Sequence, residues 1–217
     1  MGKTEKTKRA AESTLLVLVI DRSGSMQSIQ EDMEGGIKTL LAEQAKEKGT
    51  CLVTIAQFDD EYELLAEGVP IAELEPYHLV PRGSTALLDA LGRTIAQVKS
   101  GLDGLSKADV PGHVMVAVVT DGMENASQEW SRTQVMDAVK ARVADGWDFT
   151  FLGANQDAIE EGGQLGFAAD SSLTYASTSA GTREAFFAMS SSMGRRRRGE
   201  ATSLRYTDEE RRRSSES

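Results

Sequence analysis

Leu15-Leu16-Val17-Leu18-Val19-Ile20 runs straight into Asp21-Arg22-Ser23-Gly24-Ser25. The first six residues are all apolar, rich in β-branched side chains, and carry no polar residue in alternation. A strand covered on both faces of a parallel sheet reads this way. A polar, glycine-containing loop follows at once, at the carboxyl end of that strand, where open α/β sheets bind their ligands. Three more runs have the same character: Cys51–Phe58 (CLVTIAQF), Val114–Val119 (VMVAVV) and Phe149–Leu152 (FTFL).

Between these runs the apolar residues take a helical period. Ile29, Met33, Ile37, Leu40 and Leu41 share one face, as do Leu87, Leu88, Leu91, Ile95, Val98 and Leu102. Val135, Val139 and Val143 mark a third helix, with a capping box at Ser131 and Gln134 and Gly146 just past its end. Glu61–Gly68 instead alternates, with Tyr62, Leu64 and Ala66 on one side. It predicts a short antiparallel edge strand hairpinned to Cys51–Phe58. Two further helices are expected around a weak strand near Leu173–Tyr175. The order predicts an α/β fold: a doubly wound, Rossmann-like sandwich with a mostly parallel central sheet, one antiparallel edge strand and helices on both faces. Residues 14–188 are expected to form this domain, after a charged tail at 1–13. Residues 189–217, with three consecutive serines and two arginine clusters, are expected to form a disordered tail.

The chain of 217 residues carries a formal net charge of −10, unevenly spread. Residues 14–188 hold 27 Asp and Glu against 12 Lys and Arg, whereas residues 189–217 hold eight Arg against five acids. An acidic body argues against nucleic-acid binding by the fold, since phosphate contacts need cations, and leaves that option only to the arginine-rich tail. No stretch approaches ~20 consecutive apolar residues, so no membrane span is expected. The apolar run after the charged N-terminus is too short for a signal peptide core. One cysteine, Cys51, excludes an internal disulfide, and a cytoplasmic location is expected.

Three loops collect hard oxygen donors: Asp21-Arg22-Ser23-Gly24-Ser25, Arg82-Gly83-Ser84-Thr85 and Asp121-Gly122-Met123-Glu124-Asn125. Carboxylates, hydroxyls and water suit a hard divalent cation, and magnesium commonly keeps waters beside one or two carboxylates. Asp21, Ser23 and Ser25 alternate along their loop, so every second side chain can address one centre. Each loop also has a plainer role open to it. Asp21 and Thr85 can cap the helices that follow them, and Asp121-Gly122 alone is an ordinary turn. Asn155 and Gln156 read as a polar loop at the same sheet edge, placed to rim a site there. His78 and His113 read as surface residues without a ligand role. The acidic run Asp59, Asp60, Glu61 and Glu63 reads as a solvated hairpin.

The set Asp-x-Ser-x-Ser, a threonine in a glycine loop, and Asp-Gly after a later strand resembles the metal-ion-dependent adhesion site of von Willebrand factor A domains. The resemblance spans about residues 14–188 and is closest to intracellular bacterial and phage members. It implies that Asp21, Ser23, Ser25, Thr85 and Asp121 hold Mg2+ or Mn2+, with Ser23 and Ser25 binding directly and the others directly or through water. It further implies a protein partner whose acidic side chain completes the shell, a chain that is monomeric until bound, and no catalysis. The alternatives are a Mg2+-dependent phosphatase or phosphotransferase with Asp21 as nucleophile, or a metal-free scaffold of the same fold. Dehalogenase-type phosphotransferases carry a second aspartate two residues on, where this chain has Ser23. No Walker-type phosphate loop and no serine-hydrolase elbow occur.

Overall fold

The computed structural model describes residues 12–154 and 157–216. Strand β1 (Thr14–Asp21) is buried along its whole length, which is what its unbroken apolar run requires. It lies between β2 (Cys51–Phe58) and β4 (His113–Thr120), parallel to both, with Thr14 level with Cys51 on one side and His113 on the other. The six-stranded sheet has the order β3-β2-β1-β4-β5-β6. Strands β5 (Asp148–Ala154) and β6 (Ser172–Tyr175) extend it in parallel beyond β4. Strand β3 (Tyr62–Pro70) is the antiparallel edge, and its residues alternate between half-buried and exposed as the sequence period predicts.

The β1 face carrying Leu16, Leu18 and Ile20 is covered by α1 (Gln30–Gln44) and, farther along the chain, by α5 (Ser179–Arg197). The opposite face, with Leu15, Val17 and Val19, packs against α2 (Leu87–Asp103) and α3 (Arg132–Ala144), joined by α4 (Ala158–Gln164). The expected stripes do the packing: Met33, Ile37 and Leu40 from α1, and Leu87, Leu91 and Ile95 from α2, are buried. The capping box of Ser131 and Gln134 is formed. Val143 departs from its stripe and stays half-exposed in the last turn of α3, while Trp147 just beyond packs against Phe149.

The boundary expected at residue 188 and the disorder expected for 189–217 do not hold. Helix α5 runs through that boundary to Arg197, and α6 (Asp208–Glu216) follows. Ala185, Met189 and Met193 recur every fourth residue and are completely buried, with Ser192 beside them. The stripe escapes a hydropathy reading because serine, alanine and glycine make up so much of it. Gln44 donates to the Ser190 carbonyl at 3.0 Å, and the Ser192 hydroxyl accepts from Arg205 N–H at 2.9 Å. The arginines dock on the acidic body: Arg196 pairs with Asp148 at 2.9 Å and Arg198 with Glu47, while Arg195 pairs with Glu210 of α6 at 2.8 Å. Leu204 and Tyr206 are buried, and the Tyr206 hydroxyl meets Thr150 Oγ1 at 2.5 Å.

Residues 194–216 are therefore expected to contribute to stability. Removing a buried aromatic side chain costs about 3 kcal/mol or more. For a chain of this size Tyr206→Ala should lower the melting temperature by about 6–12 °C, and truncation after Met193 by at least as much. Calorimetry of both variants checks this; unchanged melting would mean that α6 and the α5 end do not pack as described.

Candidate metal centre

The chain leaves β1 toward β2 and β3, then crosses back over β1 to β4, so strand order reverses between β1 and β4. Ligand crevices form at such a switch point, outside the carboxyl ends of the strands. Register places the two acids there. Ile20 is level with Val119, so Asp21 ends β1 beside Thr120, and Asp121 follows immediately on the neighbouring strand.

Asp21 is completely buried and fully engaged. One carboxylate oxygen accepts from Ser23 N–H at 2.6 Å, and the other from the Thr120 hydroxyl at 2.5 Å. Ser23 Oγ lies 3.1 Å from Ser25 Oγ, and the Ser25 hydroxyl donates to Asp121 Oδ1 at 2.6 Å. Thr85 reaches the same spot from the loop before α2. That loop is tied to the first by Gly24 N–H donating to the Gly83 carbonyl at 3.2 Å. Gly122 shows how closely the groups converge. A Cβ there would stand 2.8 Å from Thr85 Oγ1 and 3.6 Å from both Asp21 Oδ2 and Ser23 Oγ, so the position has no room for a side chain. The structure thus brings Asp21, Ser23, Ser25, Thr85 and Asp121 together from three loops. Asn155 and Gln156 lie outside the described residues. His113 begins β4 at the opposite sheet edge, and His78 is exposed in the loop before α2.

Burial pushes the Asp21 carboxyl up to about 6, against the pull of its hydrogen bonds from Thr120 and Ser23, and the charge of Asp121 pushes the same way. Burial also raises Asp121, opposed by its hydrogen bond from Ser25. Among the described residues no Lys, Arg or His is paired with either acid or offsets its shift. The nearby arginines are engaged elsewhere, in a way the sequence reading missed. Asp59 is not solvated; it is completely buried, 3.1 Å from Arg22 Nε, and accepts from Arg82 Nε at 2.6 Å. Arg22 also donates to Glu63 at 2.7 Å. Two arginines in glycine loops near an acidic run, Arg22 and Arg82, were the signal for these pairs. Thr120, at the end of β4, joins the site by donating to Asp21, and no motif in the sequence marks it.

No protein-family model matches the sequence, and no curated protein does. Solved structures do match its fold. Proximal thread matrix protein 1 of the mussel byssus, with a zinc-occupied MIDAS motif, superposes with a TM-score of 0.53 at 15% identity, over 77% of this chain and 42% of its own. A von Willebrand factor type A protein from Catenulispora acidiphila gives 0.56 at 16% identity, over 83% of this chain and 42% of its own. The ArnB paralog VWA2 from Sulfolobus acidocaldarius gives 0.53 at 17% identity, over 81% and 44%. The chain has the von Willebrand factor A fold. It spans less than half the length of these von Willebrand A structures. The five oxygen-bearing residues lie at the carboxyl edge of the sheet.

A carboxyl that holds its proton more tightly in the folded than in the unfolded state stabilises the fold at low pH and loses that contribution as pH rises through its folded value. With Asp21 raised from 3.8 to about 6, the metal-free protein should lose up to about 3 kcal/mol of this contribution between roughly pH 4 and pH 6. Other carboxyls titrate in the same range, so the measurement is a difference. Denaturant titrations in chelator should show the advantage of the unmodified chain over Asp21→Asn shrinking across that window. A constant difference would show that Asp21 titrates normally.

Proposed function

We propose that this chain is a divalent-metal-dependent protein-binding domain. Asp21, Ser23, Ser25, Thr85 and Asp121 hold Mg2+ or Mn2+, and an acidic side chain of a partner protein completes the ion's shell. One observation carries the reading: two carboxylates are brought together in a buried setting with no protein cation among the described residues to balance them. Like charges placed so are costly unless protonated or joined by a cation. Three hydroxyls converge with them, and carboxylates, hydroxyls and water form the donor set of a hard ion. Among the described residues no three His, Cys, Asp or Glu side chains cluster to hold a metal, so hydroxyls are essential to this one. The zinc-occupied site of the mussel protein supports a cation at this position of the fold.

The reading is of binding rather than catalysis. The Ser25 hydroxyl is held by Asp121, and His113, the only half-buried histidine, lies at the other end of the sheet. No helix among the described residues is long and apolar enough to cross a membrane. The single cysteine is free and buried, in keeping with action in a reducing compartment such as the cytoplasm, as a monomer until the partner binds.

Binding of an ion to the folded state alone, at ten times its dissociation constant, adds about 1.4 kcal/mol. Magnesium or manganese should therefore raise the melting temperature by about 3–6 °C. Asp121→Ala separates a ligand from a turn residue. As a ligand, its removal leaves the chelator-treated protein as stable as before or more so, because a like-charge contact is gone, and abolishes the metal response. A turn or capping residue would instead cost about 0.5–2 kcal/mol with or without metal and leave the response intact. Melting curves of both proteins with magnesium and with chelator decide; a surviving response would remove Asp121 from the site.

A further inference from the structure

Between Asp121 and α3 the chain runs from Gly122 to Ser131 without regular secondary structure, yet none of its N–H groups from Asn125 onward lacks an acceptor. Asn125 and Ala126 N–H donate to the Thr85 carbonyl at 3.0 and 3.2 Å. Glu124 turns inward, and its Oε1 accepts from Ala126 and Ser127 N–H at 3.0 and 2.8 Å. Asp89, on the first turn of α2, accepts from Gln128, Glu129 and Trp130 N–H at 2.7–2.9 Å. Ser131 N–H meets the Gln134 side chain at 2.9 Å. In the other direction, Thr85 N–H donates to Asn125 Oδ1 and Leu88 N–H to Glu124 Oε2, each at 2.9 Å. The Trp130 ring lies flat against Gly92, where a Cβ would stand 2.1 Å from it. The segment is thus fixed by its own Glu124, by Thr85 before α2, by Asp89 on α2 and by Gln134 on α3, which leaves its N–H groups one consistent set of acceptors.

We infer that Glu124 and Asp89 are positioning residues that fix Thr85 and the segment behind Asp121 relative to one another in the metal site. This rests on the metal-binding reading above. Both carboxylates work as acceptors on both oxygens, toward N–H groups. An amide in place of either would turn an NH2 toward an N–H and break the arrangement without changing the size of the side chain. Neither acid hydrogen-bonds any of the five proposed ligands: Glu124 acts on Thr85 through Leu88 and the adjoining Asn125, and Asp89 acts on the segment behind Asp121. Groups that orient metal ligands in this way typically alter affinity about 10–100-fold.

The test is manganese titration of the full chain by calorimetry, with Glu124→Gln, Asp89→Asn, Thr85→Ala and the double variant of Thr85→Ala with Glu124→Gln. Melting in chelator reports folding separately. The expected result is a dissociation constant about tenfold or more weaker in each single variant. In the Thr85→Ala background Glu124→Gln should add little further loss, because the route through Thr85 is already gone. Arg93→Ala, which removes the exposed pair between Arg93 of α2 and Glu129 of the coil segment (2.9 Å), should bind as the unmodified chain does. If Glu124→Gln and Asp89→Asn melt lower in chelator yet bind manganese normally, the two acids only hold the loop folded and the inference falls. Full additivity with Thr85→Ala would also overturn it. If the unmodified chain binds no manganese, the metal reading falls first and takes the inference with it.

Discussion

Two carboxylates share the point where strand order reverses, and most of what is unusual in this chain follows from that. Asp21 is there because β1 is the central strand of a parallel sheet and ends with it. Asp121 is there because β4, the next strand over, ends at Thr120, level with Asp21, and Asp121 follows it. Nothing in the apolar core requires either acid. A helix cap or a turn would be served by one exposed carboxylate, whereas Asp21 is wholly buried and Asp121 half-buried. Burying both raises their proton affinity, and the surrounding hydroxyl and amide donors offset only part of that. The fold therefore stores an electrostatic cost at one spot, which a proton relieves in acid and, in the proposed reading, a cation relieves near neutral pH.

The remaining charges near this edge are arranged so that they do not relieve it. Arg22 sits between Asp21 and Ser23 in the chain, the obvious candidate to neutralise them. Its guanidinium instead points away, to Asp59 and Glu63, and Arg82 completes the group from the loop that carries Thr85. Removing one partner from a buried pair of this kind costs several kcal/mol, while the intact pair contributes little net stability. Its value here is positional: Arg22 and Arg82 both anchor on Asp59 at the end of β2, and backbone bonds from Arg22 N–H to Phe58 and from Arg82 N–H to Arg22 run alongside. The loops that carry Ser23, Ser25 and Thr85 are stitched to one buried acid, and the cations used for the stitching are kept off Asp21 and Asp121.

The parts of this architecture that the sequence discloses are those written in large side chains. LLVLVI, CLVTIAQF and VMVAVV have one structural solution, a sheet covered on both faces, and the polar loops at their ends mark its ligand edge. The edge strand was legible because Tyr62, Leu64 and Ala66 alternate with acids. Helix α5 beyond residue 188 was not, because its inward face is built from Ala185, Met189, Ser190, Ser192 and Met193, and small or hydroxylated residues read as linker when no partner surface is in view. Its arginines were misread for the same reason: a cluster of like charges looks solvated until Asp148 and Glu47 are known to lie beneath it. Asp59 failed in the opposite sense, since one acid in an acidic run gives no sign that two arginines distant in sequence close over it.

Exposure across the five proposed ligands also sets the direction from which anything can approach them. Asp21, Ser23 and Thr85 are buried to within 3% of complete. Ser25 is exposed and Asp121 half-buried, so the open side lies along the line between these two. Met123, two residues after Asp121, is 66% exposed, while Glu124 next to it turns inward. In the binding reading, a partner's carboxylate would enter over Ser25 and Asp121. The hydrogen bonds that fix the segment behind Asp121 lower the ordering cost of an approach from this side.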